Sequence, residues 1–177
     1  KRVFYVKYVA HPVFNEILTA RPDVRLDRLE NDSAAAEVAP VLAAAHAFQI
    51  GASRDELAAQ FFAHPDFLSR CPNLLVVSSN GAGYDTIDVD ACTAAGVLAV
   101  NQAGGNAEGV AEHALALLLN LTKRIGEVDR AMRRELVYDR AAYIGRNALD
   151  KTIGIIGMGY VGTRLAELVK AMFRMRV

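Results

Sequence analysis

The sequence has no surplus of charge of either sign: 20 Lys and Arg stand against 20 Asp and Glu, for a formal net charge of zero. A protein that holds polyanions by bulk electrostatics needs a basic excess, so nucleic acid is not an expected partner. Cysteine is scarce, with 2 in 177 residues. Cys71 and Cys92 form neither a C-x-x-C pair nor a metal-ligand spacing. That argues against a structural metal site and suits two free thiols in a reducing cytoplasm. No apolar run approaches the roughly 20 residues that cross a bilayer, and Lys1 leads into a strand-like stretch, not a signal peptide. The expectation is a cytosolic protein with no membrane partner. Internal repeats and low-complexity tracts are lacking too. What remains is 53% hydrophobic against 23% charged residues, enough for one comfortable core or two small ones at this length.

The apolar residues are arranged as alternating strands and helices. VFYV at Val3 to Val6 is β-branched and aromatic, and PVFNEILTA from Pro12 follows as a helix with proline in its first turn. The step repeats: VRLDRL from Val24, a helix from Ser33 that Pro40 should break or kink, AFQI from Ala47, and a helix near Arg54 to Ala63. NLLVVSS from Asn73 is the clearest strand; LAV at Leu98 to Val100 is the next, with a short helix at Val89 to Ala95 between them. Strands this apolar, separated by helices, suit a parallel sheet covered on both faces. Residues 1–100 therefore read as a five-stranded, doubly wound α/β domain.

NAEGVAEHALALLLNLTKR, from Asn106 to Arg124, is the most strongly helical segment, and Ala114 to Leu119 is apolar on every side. Such a helix is expected to be buried all round, as a strut between domains or as a subunit interface. Residues 126–150 interleave Arg130, Arg133, Arg134 and Arg140 with Glu127, Asp129, Glu135 and Asp139. A solvated helix followed by a loop accounts for that mixture better than a nucleic-acid patch does.

Three stretches could carry chemistry. TIGIIGMGYVG places Gly157, Gly159 and Gly162 in G-x-G-x-x-G spacing, after an apolar strand and before a helix at Val161 to Met172. Gly157 permits the tight turn, Gly159 lets backbone approach a pyrophosphate, and Gly162 lets the helix pack closely. The helix amides, with the intervening Met158, Tyr160 and Val161, would face the phosphates. SSNGAGYDTID, from Ser78 to Asp88, lies at the carboxyl end of the strongest strand, where open parallel sheets bind ligands. The backbone of Gly81, Ala82 and Gly83 could form an anion-binding nest, or simply a tight turn with its glycines at positive φ. Asn106, after Gly104 and Gly105, opens the long helix as an N-cap whose amide could also meet a ligand. None of the four histidines reads as a hydride-transfer acid or base. His113 is expected to be a packing residue, His46 and His64 flank helix ends, and only His11 lies near the carboxyl end of a strand.

The series SNGAGYDTID, AGVLAVNQAGGNAEGVAEHALALLL and YDRAAYIGRNALDKTIGIIGMGYVG resembles the D-isomer-specific 2-hydroxyacid dehydrogenase family, which includes phosphoglycerate, glycerate and formate dehydrogenases. The likeness runs from about Asn73 to the last residue; the preceding residues share only the general layout. It implies a flavodoxin-like substrate domain over residues 1–100, with residues 101–177 supplying an inter-domain helix and the first β-α unit of a Rossmann NAD(P)-binding domain. It also implies reversible reduction of a 2-oxo acid to a D-2-hydroxy acid with NAD or NADP. Gly81, Ala82 and Gly83 would grip the substrate carboxylate, Asn106 would add a side-chain hydrogen bond, and Gly157 to Gly162 would seat the pyrophosphate. The family's catalytic arginine, glutamate and histidine are expected beyond Val177, as is the acidic residue that selects the ribose, so NAD and NADP are not distinguished. On this reading the chain is a catalytically silent fragment, paired as a homodimer through the Asn106–Leu121 helix. The competing reading is a nucleotide-responsive regulator or corepressor of the same fold.

Overall fold

The computed structural model describes residues 1–134 and 139–177. Glu135 in the polar stretch and Tyr138 at the head of the third motif lie outside the described residues. The chain divides into two compact units, Lys1–Gly105 and Asn106–Val177.

In the first unit, β1 (Arg2–Val6), β2 (Arg25–Leu29), β3 (Ala47–Ile50), β4 (Val76–Ser79) and β5 (Leu98–Val100) form one sheet in the order β2-β1-β3-β4-β5. Every pairing is parallel. The apolar runs predicted five parallel strands, and the order is the flavodoxin-like one that the family resemblance implied. The chain moves one way from β1 to β2 and the opposite way from β2 through β5. Right-handed crossovers therefore set α1 (Val13–Thr19) on the other face from α2 (Ala35–Ala44), α3 (Pro65–Ser69) and α4 (Val89–Ala94). Burial is concentrated on the second face. Phe4, Phe48 and Val77 share a register line across β1, β3 and β4 and are fully buried. Phe4 stacks on Phe48 at 4.2 Å, and Phe67 of α3 lies 5.4 Å from Phe48. Each such side chain contributes about 1.5–3 kcal/mol by leaving water. No residue of α1 is buried; its Phe14 meets Tyr5 edge-on at 6.4 Å.

Pro40 neither breaks nor ends α2, which runs through it. Val38, Val41 and Leu42 on either side are buried in the core, and their combined transfer energy exceeds the roughly 3 kcal/mol that an internal proline costs. The helix expected near Arg54 to Ala63 is replaced by turns and a single 3₁₀ turn at Ala59–Phe61. Asn31 competes for the backbone there: its Oδ1 accepts from the Ala58 N–H at 2.9 Å and its Nδ2 donates to the Glu56 carbonyl at 3.0 Å. Ala58 and Phe62 are extended, so Leu57, Phe61 and Ala63 reach the core without a helix. α3, which the sequence reading did not anticipate, follows with Pro65 at its start.

The second unit contains α5 (Ala107–Lys123), α6 (Ile125–Arg134), a 3₁₀ turn (Arg140–Tyr143) and α7 (Tyr160–Phe173). Leu115 of α5 and Val169 of α7 join Ala148 and Met175 in its core. α5 ends at Arg124, in the left-handed region at φ 56°, and the Asn120 Oδ1 accepts from the Gly126 N–H at 2.8 Å to start α6. Within its own unit α5 is buried on one face only. Ala111 and Leu115 are buried, whereas Leu117 and Leu121 are 49% and 76% exposed, because a single packing face accommodates only part of so apolar a helix. His113, expected as a packing residue, is exposed. The strand expected before the glycine fingerprint is a single parallel bridge, Thr152 to Arg176. A ladder needs a neighbour at every second residue, and among the described residues Ile155 and Ile156 have none. No helix of the described residues is long and apolar enough to cross a membrane.

Candidate functional site

The loop Asn80–Asp88 leaves the carboxyl end of β4 beside the point where strand order reverses, the usual ligand position in an open parallel sheet. Its root is tied across that point. The Asn80 N–H donates to the Ile50 carbonyl at 2.9 Å, Gln49 Nε2 donates to Asn80 Oδ1 at 2.8 Å, and Asn80 Nδ2 reaches the Tyr8 carbonyl at 3.5 Å. Tyr8 in turn donates its hydroxyl to the Glu56 carboxylate, a hydrogen bond that, with partial burial and the glutamate charge, raises the phenol pKa. Further along, Thr86 is fully buried and donates to the Gly51 carbonyl at 2.6 Å. Gln49, Ser79 and Thr86 are the buried polar side chains among the described residues, and all three are spent on this loop.

The turn itself differs from both readings of its glycines. None of Gly81, Ala82 and Gly83 has positive φ, so there is no αR-αL nest and no left-handed turn. Added Cβ atoms at Gly81 and Gly83 would meet Ala52 Cβ at ordinary distances of 3.5 and 3.9 Å. The carbonyls of the three residues are all engaged: Gly81 by the Gln102 N–H at 3.0 Å, Ala82 by Asn101 Nδ2 at 2.8 Å, and Gly83 by the Ser79 hydroxyl at 2.5 Å. The Gly81 N–H donates to Ser79 Oγ at 3.3 Å. The N–H groups of Ala82 and Gly83 have no acceptor among the described residues. Beside the loop, Tyr84, Ile87, Val89, Ala99, Val100 and Asn101 line a concavity of about 500 Å³.

In the second unit the fingerprint glycines take three different roles. Gly157 has φ 94°, a conformation that glycine adopts without strain. A Cβ on Gly162 would fall 2.1 Å from the Gly157 carbonyl oxygen, so the first turn of α7 lies directly on the glycine turn. Gly159, the N-cap of α7, has nothing within 4 Å of a would-be Cβ and no side-chain cap. The N–H groups of Tyr160, Val161 and Gly162 are first-turn donors with no acceptor among the described residues; the Thr163 N–H is the first to pair, with the Gly159 carbonyl at 2.9 Å. Met158, Gly159, Tyr160, Thr163, Arg164 and Glu167 line a concavity of about 480 Å³ at this helix end. Open backbone approach, free amides and the positive end of a 14-residue helix together fit a dinucleotide pyrophosphate. Arg164 is the cation at this end of α7. It is hydrogen-bonded first to Glu108 of α5 and then to Glu167, both of which raise its pKa.

Asn106 is the N-cap of α5, but its side chain makes no capping bond, so the amide is not used in the way the cap reading requires. The histidines nearest the sheet act on backbone: His11 Nδ1 accepts from the Val13 N–H and His46 Nδ1 from the Arg2 N–H, both at 3.2 Å. No metal-holding group of three His, Cys, Asp or Glu occurs among the described residues. Gln49, Ser79, Thr86, Asn101 and Arg164 escaped the sequence reading. The one signal for the first two was polarity inside otherwise apolar strands.

The sequence model described as D-isomer specific 2-hydroxyacid dehydrogenase, catalytic domain, matches residues 9–174. The chain belongs to this family. Among curated members, D-3-phosphoglycerate dehydrogenase of Mycobacterium leprae is 40% identical over 106 residues, covering 60% of this chain and 20% of that protein. Among solved structures, D-lactate dehydrogenase of Aquifex aeolicus, complexed with NAD and lactic acid, superposes with a TM-score of 0.75 at 24% identity over 98% of this chain and 49% of that one. An acyclic imino acid reductase in complex with NADPH and D-Arg gives 0.75 at 23% identity, over 100% of this chain and 55% of that one. The chain thus spans about half the length of these solved structures, and the aligned part is a fifth of the curated relative. The structural likenesses establish the two-unit α/β fold.

Proposed function

We propose that this chain contributes to an NAD(P)-dependent oxidoreductase that interconverts a D-2-hydroxy acid and its 2-oxo acid by hydride transfer. In this reading the unit Lys1–Gly105 holds the substrate, and Asn106–Val177 carries the pyrophosphate corner of the dinucleotide domain. The single observation carrying it is that corner: a glycine at φ 94°, a glycine whose Cβ would strike its carbonyl at 2.1 Å, and an unhindered Gly159 between them, before free helix amides. Gly157, Met158, Gly159, Tyr160, Val161 and Gly162 would offer backbone to the pyrophosphate, and the bound nicotinamide would supply or accept the hydride. The backbone of Gly81, Ala82 and Gly83 would hold the substrate carboxylate, and the uncommitted Asn106 amide would add a hydrogen bond. Relatives are crystallised with NAD and with NADPH, and either cofactor suits a cradle that contacts only phosphate. The exposed apolar residues of α5 make a second copy of the chain the proposed partner, and the two buried free thiols favour a reducing compartment. The test is turnover by the natural gene product with NADH or NADPH and glyoxylate, pyruvate or hydroxypyruvate. Oxidation of the cofactor with at least one of these is expected. Tight nucleotide binding with no turnover on any 2-oxo acid would contradict the enzyme and support a nucleotide-responsive regulator.

A further inference from the structure

Hydrogen bonding in the Gly81–Gly83 turn is sorted by polarity. All three carbonyls are taken by donors from within the unit, while the N–H groups of Ala82 and Gly83 are left over. A peptide whose carbonyl is captured on one side presents its N–H on the other, so fixing the carbonyls fixes where the free donors point. The Gln102 N–H holds the peptide that carries the Ala82 N–H, Asn101 holds the peptide that carries the Gly83 N–H, and Ser79 holds the two peptides that flank that pair. Ser79, fully buried, brackets the turn by donating to the Gly83 carbonyl and accepting from the Gly81 N–H. Asn101, exposed at the carboxyl end of β5, donates to the Ala82 carbonyl at 2.8 Å, and its Oδ1 accepts from the Ala103 N–H at 3.4 Å. We propose that Ser79 and Asn101 are positioning residues that hold the Ala82 and Gly83 amides as a preformed double donor for one carboxylate. The identity of that carboxylate as part of a 2-oxo acid rests on the dehydrogenase reading above; the donor pair does not.

Preorganisation of this kind lowers the ordering cost of binding, and hydrogen bonds to a charged acceptor are about twice as strong as neutral ones. Loss of either bracket should therefore appear as weaker carboxylate binding. It should be nearly silent for an uncharged ligand of the same shape, and for the cofactor, whose cradle lies in the other unit. A merely structural role would weaken all three or none.

The experiment is calorimetric titration of the natural gene product, with NADH present, using oxamate as the carboxylate probe and oxamide as its uncharged counterpart. Asn101→Ala, at an exposed position, tests the proposal without threatening the fold; Ser79→Ala is the stronger variant, with Ser79→Cys keeping its volume. Each alanine variant is expected to weaken oxamate at least tenfold with the NADH affinity unchanged and the oxamate preference over oxamide reduced. Oxamate binding with these losses but no turnover would uphold the donor pair and remove the dehydrogenase reading. Turnover of 2-oxo acids with wild-type oxamate affinity in Asn101→Ala and in folded Ser79→Ala would overturn the proposal and leave that reading standing. Wild-type protein that neither turns over nor binds oxamate overturns both.

Discussion

A Cβ on Gly162 would sit 2.1 Å from the carbonyl oxygen of Gly157 and 3.1 Å from its carbonyl carbon. No real Cβ contact is that short, and the obstacle is backbone, which cannot rotate away. Gly162→Ala must therefore push α7 off the turn. The expected cost is about 1–3 kcal/mol of stability in the second unit, read from the urea midpoint, with weakened nucleotide binding as a consequence.

Thr86 tests the anchoring of the first unit. Its hydroxyl donates to the Gly51 carbonyl at 2.6 Å from a fully buried position. Thr86→Val conserves shape and leaves that carbonyl without its partner, so a loss of about 1–2 kcal/mol is expected in denaturant melts. A Thr86→Ser variant, which keeps the donor, should lose less than the valine variant.

Stability should fall off on both sides of neutrality through two identified groups. Burial pushes the Cys71 thiol up to about 11 from an ordinary 9.0, with the Arg70 charge pulling weakly the other way. Because the folded pKa is the higher one, this stability is complete below pH 9.0 and is lost as pH rises toward 11; two units correspond to at most about 2–3 kcal/mol. Asp27 is the acid-side case. Burial alone would raise its pKa, but hydrogen bonds and charge from Arg2, and then from Arg25, outweigh it and lower the net value. That contribution is present above the ordinary carboxylate pKa and disappears as pH falls through the lowered one. Cys71→Ala should flatten the alkaline limb and Asp27→Asn the acid limb in chemical denaturation followed against pH.

The exposed apolar residues Val110, Leu117 and Leu121, at 42%, 49% and 76% exposure, follow one another at intervals of seven and four along α5. Pairing with a second copy would cover them. Sedimentation of the natural gene product should show a dimer, and Leu117→Glu with Leu121→Glu should shift it to monomer while leaving helix content unchanged. A wild-type monomer at micromolar concentration would remove this interface.

The sheet was legible because β1, β3, β4 and β5 carry short apolar runs between turn residues, while β2, RLDRL, has only its two leucines among charged residues; the strand order came from the family resemblance. Two elements were misread for physical reasons. ASRDELAAQFF has helical spacing at Leu57 and Phe61, yet Asn31, distant in sequence, takes the backbone groups a helix would need. TIGII has the composition of a buried strand, but strand formation is set by neighbours, and only Arg176 pairs with it. At the candidate sites, the glycine spacing located the tight turn before α7 that is proposed to seat the cofactor, while the reason for glycine differed from position to position. Asn101 was invisible, and Ser79 was marked only by its polarity in an apolar strand, because the role proposed for them depends on which backbone groups face them, a property of the folded turn and not of the local sequence.

An open backbone approach at the start of α7 is the central requirement of the proposed cofactor site. The measurement that tests it most directly is an NADH titration of wild type beside Gly159→Ala. A Cβ at Gly159 meets nothing within 4 Å and the residue has an ordinary φ of −80°, so the variant should fold with a loss of less than about 1 kcal/mol, as expected at an N-cap. Wild type is predicted to bind NADH saturably and Gly159→Ala to bind it at least tenfold more weakly, at nearly unchanged stability. Equal affinity in the two proteins, or no binding by wild type, would contradict a pyrophosphate cradle at this corner.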